Sequence, residues 1–200
     1  MQPEIQNLID RWNNGDERAA ETLYTTFRAS VLRLAFAIVG ERESAEEIMQ
    51  DALTYALMNI HHFDPERASF KTWLFTITIS RSRDFLRKKR LPLLELLETW
   101  LDGGIPQLID PAPLPESELM QSERRTTIWN AVQNLPRAQR EALVLRYWNE
   151  CTYHEIAAIT NCPVTTAQTR VLAAFEKLRA ELQPGWMAET AKNPAEEQPL

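Results

Sequence analysis

The sequence predicts an all-α protein: two small helical domains joined by a flexible acidic linker. Three observations predict it. Only five of 200 residues are glycine and 44% are apolar, and Ala, Leu, Glu and Arg are plentiful, a composition that favours helices over sheets. Apolar residues recur at helical spacing over about 1–90 and again over 124–183. Between them, residues 91–123 hold seven acidic groups and no basic one, with a proline-rich run, IPQLIDPAPLPESE, that reads as an extended tether. A polar tail, 184–200, is expected to be disordered.

The first long stripe is Ala20, Leu23, Tyr24, Phe27, Val31, Leu34, Ala35 and Ile38, and Gly40 closes it. Ser44 opens a capping-box pattern with Glu47, two groups that can satisfy free helix-end amides reciprocally. The next stripe is Ala45, Ile48, Met49, Ala52, Leu53, Ala56, Leu57 and Ile60. Asp64-Pro65 is a turn signal. A third helix turns Phe70, Trp73, Leu74 and Ile77 inward and ends in RSRDFLRKKR. LPLLELLETWLDGG suits a short amphipathic helix. Periodicity resumes with Ile128, Val132 and Leu135. Pro136 suits the first turn of the next helix, which carries Ala142, Leu143, Leu145 and Tyr147. Thr152 with Glu155, and Thr165 with Gln168, repeat the capping-box spacing.

Several function classes are set aside. No apolar run approaches the ~20 residues that a bilayer needs, and MQPEIQNLID lacks the regions of a secretory signal, so no membrane insertion and a cytoplasmic location are expected. Cys151 and Cys162 make no disulfide framework. Cys151, His154 and Cys162 lack a fourth ligand and a zinc spacing, so neither metal nor cofactor is expected. No phosphate loop or nucleophile elbow occurs, so the chain reads as a non-enzyme.

The net charge of −6 argues against a simple nucleic-acid binder, but local charge decides partners. Residues 1–90 balance, and 124–183 carry net +3. The acidity sits at Glu95, Glu98, Asp102, Asp110, Glu116, Glu118 and Glu123, and in the tail.

Three constellations carry chemistry. In TYHEIAAITNCPVTTAQTRVLAAFEKL, the break Asn161-Cys162-Pro163 separates two apolar periods in the manner of a helix-turn-helix. The second helix would offer Thr165, Thr166, Gln168, Thr169 and Arg170 near its start, the end that enters the major groove in this motif. Gln pairs with adenine, Thr touches the thymine methyl, and Arg binds guanine or phosphate. A helical corner packed for stability fits the same periodicity. In FKTWLFTITISRSRDFLRKKR, six basic groups in ten residues suit a phosphate backbone, and aromatics can stack on unpaired bases; Phe70 and Trp73 equally suit a core. In SAEEIMQDALTYALMNI, an acidic, amide-rich face suits a basic protein partner or plain solvent.

In this order the pieces resemble the sigma-70 family of bacterial RNA polymerase sigma factors, and above all its compact extracytoplasmic-function (ECF) group, over about 20–90 and 124–182. AEEIMQDAL is similar to the family's core-binding segment. The Phe70–Arg90 stretch resembles the segment that melts and reads the −10 element, and LPRAQREALVLRYWNECTYHEIAAITNCPVTTAQTR resembles region 4. The resemblance implies a non-enzymatic factor that binds core RNA polymerase and directs initiation at promoter DNA, with an anti-sigma factor as a further partner. Region 2 would occupy 1–90, the acidic linker 91–123 and region 4 124–183. Glu47, Gln50 and Asp51 would face core polymerase. Lys71, Trp73, Ser80, Arg81, Arg83, Arg87 and Lys88 would serve −10 DNA. Thr165, Thr166, Gln168, Thr169, Arg170 and Lys177 would serve −35 DNA. Ser80 stands where the family usually has Asn and Ile79 where it usually has Arg. Ala167-Gln168-Thr169 replaces the usual Val-Lys-Ser, so −35 reading should lean on Gln168. The linker is expected to act as a negative stand-in for RNA in the polymerase and to fold back on Arg87–Arg90 in free protein. A helix-turn-helix regulator that binds DNA without core is the alternative.

Overall fold

The computed structural model describes the backbone over 3–100 and 126–190, and the side chains of 4–89 and 126–182. The elements are α1 (Pro3–Asn13), α2 (Glu17–Val39), α3 (Arg42–Met58), a one-turn 3-10 helix (Ile60–His62) and α4 (Phe70–Trp100). Then follow α5, helical over 126–134, α6 (Arg137–Tyr147), α7 (Tyr153–Thr160) and α8 (Val164–Thr190). Among the described residues there is no strand. The linker carboxylates Asp102, Asp110, Glu116, Glu118 and Glu123 lie outside the described residues, as do the side chains of Glu95 and Glu98.

Helix α2 is the axis of the N-terminal half. Asp16 caps it, its carboxylate accepting from the Arg18 amide. The Arg11 guanidinium bonded to Asp16 holds that carboxyl below the usual carboxylate value. Gly40 ends the helix at φ 79°, with its amide donating to the Phe36 carbonyl. A left-handed C′ residue is the common helix stop, and glycine takes it without a Cβ penalty. The expected stripe is buried from Leu23 to Ile38 except for Tyr24, which is half-buried, and Ala19 takes the inward place expected of Ala20. By length and composition alone α2 would be long and apolar enough to cross a membrane, but its apolar stripe is the core of the N-terminal half. In this fold α1, α3 and α4 pack against it.

Not every helix begins where the sequence signals suggest. Helix α3 starts at Arg42, and its N-cap Glu41 makes no side-chain cap bond. Ser44 is buried in the first turn and donates to the Glu41 carboxylate at 2.8 Å. The Ser44–Glu47 capping box is therefore not formed, because helix already precedes Ser44. Helix α4 does not stop at Arg90 but continues to Trp100. Helix α8 passes 183, the expected end of region 4, and reaches Thr190.

The core is one body. Phe27, Leu34, Leu53, Leu74 and Phe75 from the N-terminal half belong to one cluster with Ala142, Leu145, Ile156 and Val171. A smaller cluster, Val132, Leu135, Leu143 and Ala174, closes the C-terminal half. The two halves expected from the sequence thus meet face to face, α4 on α7 and α2 on α6. Several expected core positions lie outside: Ile128 is 39%, Tyr147 52% and Phe175 45% exposed. Tyr147 and Phe175 instead pack edge-to-face on one another at the surface.

Phe75 is fully buried. Phe75→Ala should cost about 3–5 kcal/mol of unfolding free energy, read as a lower denaturant midpoint at unchanged slope.

Candidate functional site

The helix-turn-helix is built by α7, a three-residue turn and α8. Thr152 begins α7 with a reciprocal capping box, as its sequence predicts. Its hydroxyl accepts from the Glu155 amide at 3.2 Å, and the Glu155 carboxylate accepts from the Thr152 amide at 2.7 Å. Asn161 ends α7 in the left-handed region at φ 52°, a conformation Asn tolerates better than most residues. The Cys162 amide donates back to the Ala157 carbonyl at 3.0 Å. Pro163 then precedes the first residue of α8, so Thr165 is already helical and no cap forms between Thr165 and Gln168. Instead Thr169 donates to the Thr165 carbonyl at 2.8 Å.

Ala167 and Val171, four apart, are buried against α7. That phase turns Thr165, Gln168 and Thr169 fully outward and leaves Thr166 and Arg170 half-buried. Lys177 is exposed farther along the helix. A methyl at 167 allows close approach of the two helices, which accounts for Ala where a larger residue would be overpacked. Cys151 is buried, and burial pushes its thiol up to about 11. Among the described residues no group of three His, Cys, Asp or Glu is placed to hold a metal.

On α3, Glu47, Gln50 and Asp51 are exposed together, and Tyr55 and Met58 extend the same strip. Met58 is 72% exposed, large for an apolar side chain with no partner need. Arg81, expected on DNA, reaches this face from α4. Its guanidinium pairs with Asp51 at 3.1 Å and lies 4.8 Å from the Tyr55 ring centre.

The other basic residues of α4 are spread over several environments. Trp73 is half-buried in an aromatic group with Phe63 and Phe70. Arg87 pairs with Asp84 on its own helix at 3.0 Å, and Lys88 is exposed. Lys89 reaches Glu41 at 2.8 Å and holds that carboxyl below its usual value. Ser80 is exposed, while Ile79 is 1% exposed, so the apolar residue at that place serves the core. Lys71 donates to the Asn149 carbonyl at 2.5 Å.

Arg83 meets Glu141 of α6 in a two-pronged pair, Nε to Oε1 at 3.0 Å and Nη2 to Oε2 at 2.6 Å. Glu141 has no exposed surface. The carboxylate bonded to it raises the Arg83 guanidinium above its ordinary value. Between α4, α6 and the turn lies a cleft of about 720 Å³ with Ser80, Arg83, Arg87, Arg137, Arg140 and Asn161 in its wall. Burial lowers the Arg140 guanidinium, and Arg137 adds repulsion. Sequence reasoning missed Glu141 and the aromatic stack of Phe36 on Trp129, 4.4 Å apart and nearly parallel. Both join residues about 60 or more apart in the chain, and local periodicity carries no signal for such pairs.

Two family models match, Sigma-70 region 2 over residues 23–91 and Sigma-70, region 4 over 125–178. The chain is 31% identical to the ECF RNA polymerase sigma factor SigW of Bacillus subtilis, over 92% of this chain and 99% of that one. The chain belongs to the sigma-70 family. Its place is in the ECF group, since it is also 33% identical to the ECF RNA polymerase sigma factor RpoE of Cereibacter sphaeroides, over 84% of this chain and 88% of the other. Among solved structures it is similar to CnrH in complex with the cytosolic domain of CnrY, with TM-score 0.67 and 20% identity over 91% and 99% of the two chains. It is also similar to the sigma factor RpoE of Bartonella quintana in complex with the anti-sigma factor NepR, with TM-score 0.61 and 24% identity over 82% and 97%. These two share the fold. As a sigma factor the protein binds core RNA polymerase and directs promoter recognition and transcription initiation.

The capping box fixes where α7 of this sigma factor begins. Thr152→Ala removes an acceptor for the Glu155 amide and should cost about 0.5–2 kcal/mol, measured by denaturant unfolding.

Proposed function

We propose that this sigma factor divides its work by face. The exposed strip Glu47, Gln50 and Asp51 on α3 docks on core polymerase, and Tyr55 and Met58 add apolar area beside it. The basic length of α4, with Lys71, Trp73, Ser80, Arg81, Arg83, Arg87 and Lys88, takes the opened −10 segment. Helix α8 lies in the −35 major groove. The observation that carries this reading is the register of α8, which buries Ala167 and Val171 and leaves Thr165, Gln168 and Thr169 outward. Gln168 then reads a base, Arg170 and Lys177 hold phosphates, and Thr165, Thr166 and Thr169 supply methyl and hydroxyl contacts. The division follows the matched regions: region 2 at 23–91 and region 4 at 125–178. The protein works in the cytoplasm, with polymerase and DNA, and its relative's complex with an anti-sigma factor supports a protein inhibitor as a further partner.

Transcription in vitro with purified core on a randomised promoter library tests the DNA assignment. Gln168→Ala should relax preference at one or two −35 base pairs by a discrimination worth ~1–3 kcal/mol each. Arg170→Ala or Lys177→Ala should weaken all promoters alike and flatten the salt dependence. An unchanged library profile with Gln168→Ala removes the base-reading role.

Core binding is tested separately. Gln50→Lys adds a positive charge and Asp51→Lys reverses one, both on exposed positions, and the buried stripe stays intact. Core affinity in a pull-down should fall several-fold or more with helicity unchanged, and undiminished binding overturns the α3 assignment.

A further inference from the structure

Helix N-termini favour acidic side chains, because free amides and the macrodipole leave that end positive. Helix α6 does the opposite. Its first turn holds Arg137 and Arg140 and no acidic residue, and its N-cap, Pro136, makes no side-chain cap bond. Two guanidiniums at a positive helix end weaken α6 unless an anion answers them.

Among the described residues they are answered only in part. Arg137 and Arg140 line the cleft of about 720 Å³ with Arg83 and Arg87 of α4. Members of each pair stand about one helical turn apart, so each pair shares a helix face. Glu141 takes Arg83 with both oxygens and stands 3.7 Å from Arg137. Asp84 takes Arg87 at 3.0 Å. Four guanidiniums thus meet two carboxylates, and two positive charges are left over. The Arg140 Nη1 donates to the Gln133 carbonyl at 2.8 Å and to its Oε1 at 2.7 Å, both neutral acceptors. The Arg140 Nε is buried and finds no acceptor among the described residues, an arrangement that costs stability. Burial lowers this guanidinium, Glu141 partly offsets the effect, and Arg137 lowers it further.

The cleft also has an apolar side, made by Ile79, Leu86 and Ile159, and Asn161 adds an amide to its wall. Its volume falls in the range of about 300–1,000 Å³ that small-molecule sites occupy. A lone phosphate would fill a small part of it and leave the apolar side bare. A ligand that matches the whole wall carries several negative charges at one end and a flat ring at the other.

We propose that this cleft is a binding site for a nucleotide with two or three phosphates. Arg137 and Arg140 hold the phosphates with their planar forks, which match phosphate oxygens two at a time. The base lies on Ile79, Leu86 and Ile159, with Asn161 at its polar edge. The site goes beyond the faces proposed above: Arg137 and Arg140 belong to neither the core-binding nor a DNA-binding set. It needs neither polymerase nor DNA, so it stands or falls apart from those assignments. Because α4 and α6 both supply walls, the ligand binds only the folded chain and stabilises it by mass action.

The experiment titrates the full chain with ATP by calorimetry at ~0.15 M salt, where loose surface charge is screened. Binding should be saturable and one-to-one with Kd below about 1 mM, and the unfolding midpoint should rise with ATP concentration. AMP should bind at least ~10-fold more weakly, because one phosphate cannot engage both arginine forks. Inorganic triphosphate should bind several-fold more weakly than ATP, because it lacks the ring. Arg137→Ala, at an exposed position, should weaken ATP binding by about 10-fold. Arg140→Lys keeps the charge and loses the fork, and should weaken it several-fold; it decides the matter if Arg137→Ala shifts the ligand-free midpoint. Arg28→Ala, exposed on α2 and outside the cleft wall, should leave ATP binding unchanged. No saturable binding up to several millimolar overturns the site, as does an equal loss with Arg28→Ala. Inorganic triphosphate or AMP binding as tightly as ATP overturns its assignment to a nucleotide with several phosphates.

Discussion

Glu141 is the constraint on which the meeting of the two halves depends. It stands in the middle of an otherwise apolar helix face, between Ala142, Val144 and Leu145 on one side and α4 on the other. A carboxylate there needs a cation, and the geometry supplies a guanidinium whose planar fork matches both oxygens. The rest of the seam is arranged around that pair. Lysine at that place would offer a point charge and lose the two-pronged fit.

The DNA-reading end depends on a different and more local constraint. A helix can present residues outward only if its inward phase is fixed. In α8 that phase is set by two small or branched residues, Ala167 and Val171, against the apolar face of α7. The turn before it is short because Asn161 adopts a left-handed conformation and Pro163 cannot continue the preceding helix. The outcome is a rigid platform for Gln168, and rigidity matters because base reading is lost when a side chain can wander.

Charge shows how composition misleads when it is summed. The chain is net −6, yet the walls of the seam bring together Arg83, Arg87, Arg137 and Arg140. Several of these are already engaged, Arg83 and Arg137 by Glu141 and Arg87 by Asp84. Basic residues that look alike in RSRDFLRKKR therefore have different environments. Arg81 faces α3, Arg83 faces α6, and Lys89 reaches back to Glu41. A helix distributes neighbours around its axis by about 100° per residue, so a basic run in sequence is not a basic face in space.

Much of the local structure was legible from residues alone. The apolar stripes of α2 and α3, the glycine stop at Gly40, the Thr152–Glu155 capping box and the turn at Asn161-Cys162-Pro163 all rest on contacts within a few residues, where periodicity and cap chemistry are sufficient. The outward set Thr165, Gln168 and Thr169 followed from the same periodicity. Where the sequence reading missed was the capping boxes expected at Ser44 and Thr165: each residue already lies inside a helix that starts one or two residues earlier, at Arg42 and Val164. Tertiary structure alone decided the destination of Arg81 and Arg83, the surface position of Tyr147 and Phe175, and the meeting of the two halves in one core. Those outcomes join residues distant in sequence, and a long-range partner is chosen by the shape and charge of a surface that exists only after the helices have packed.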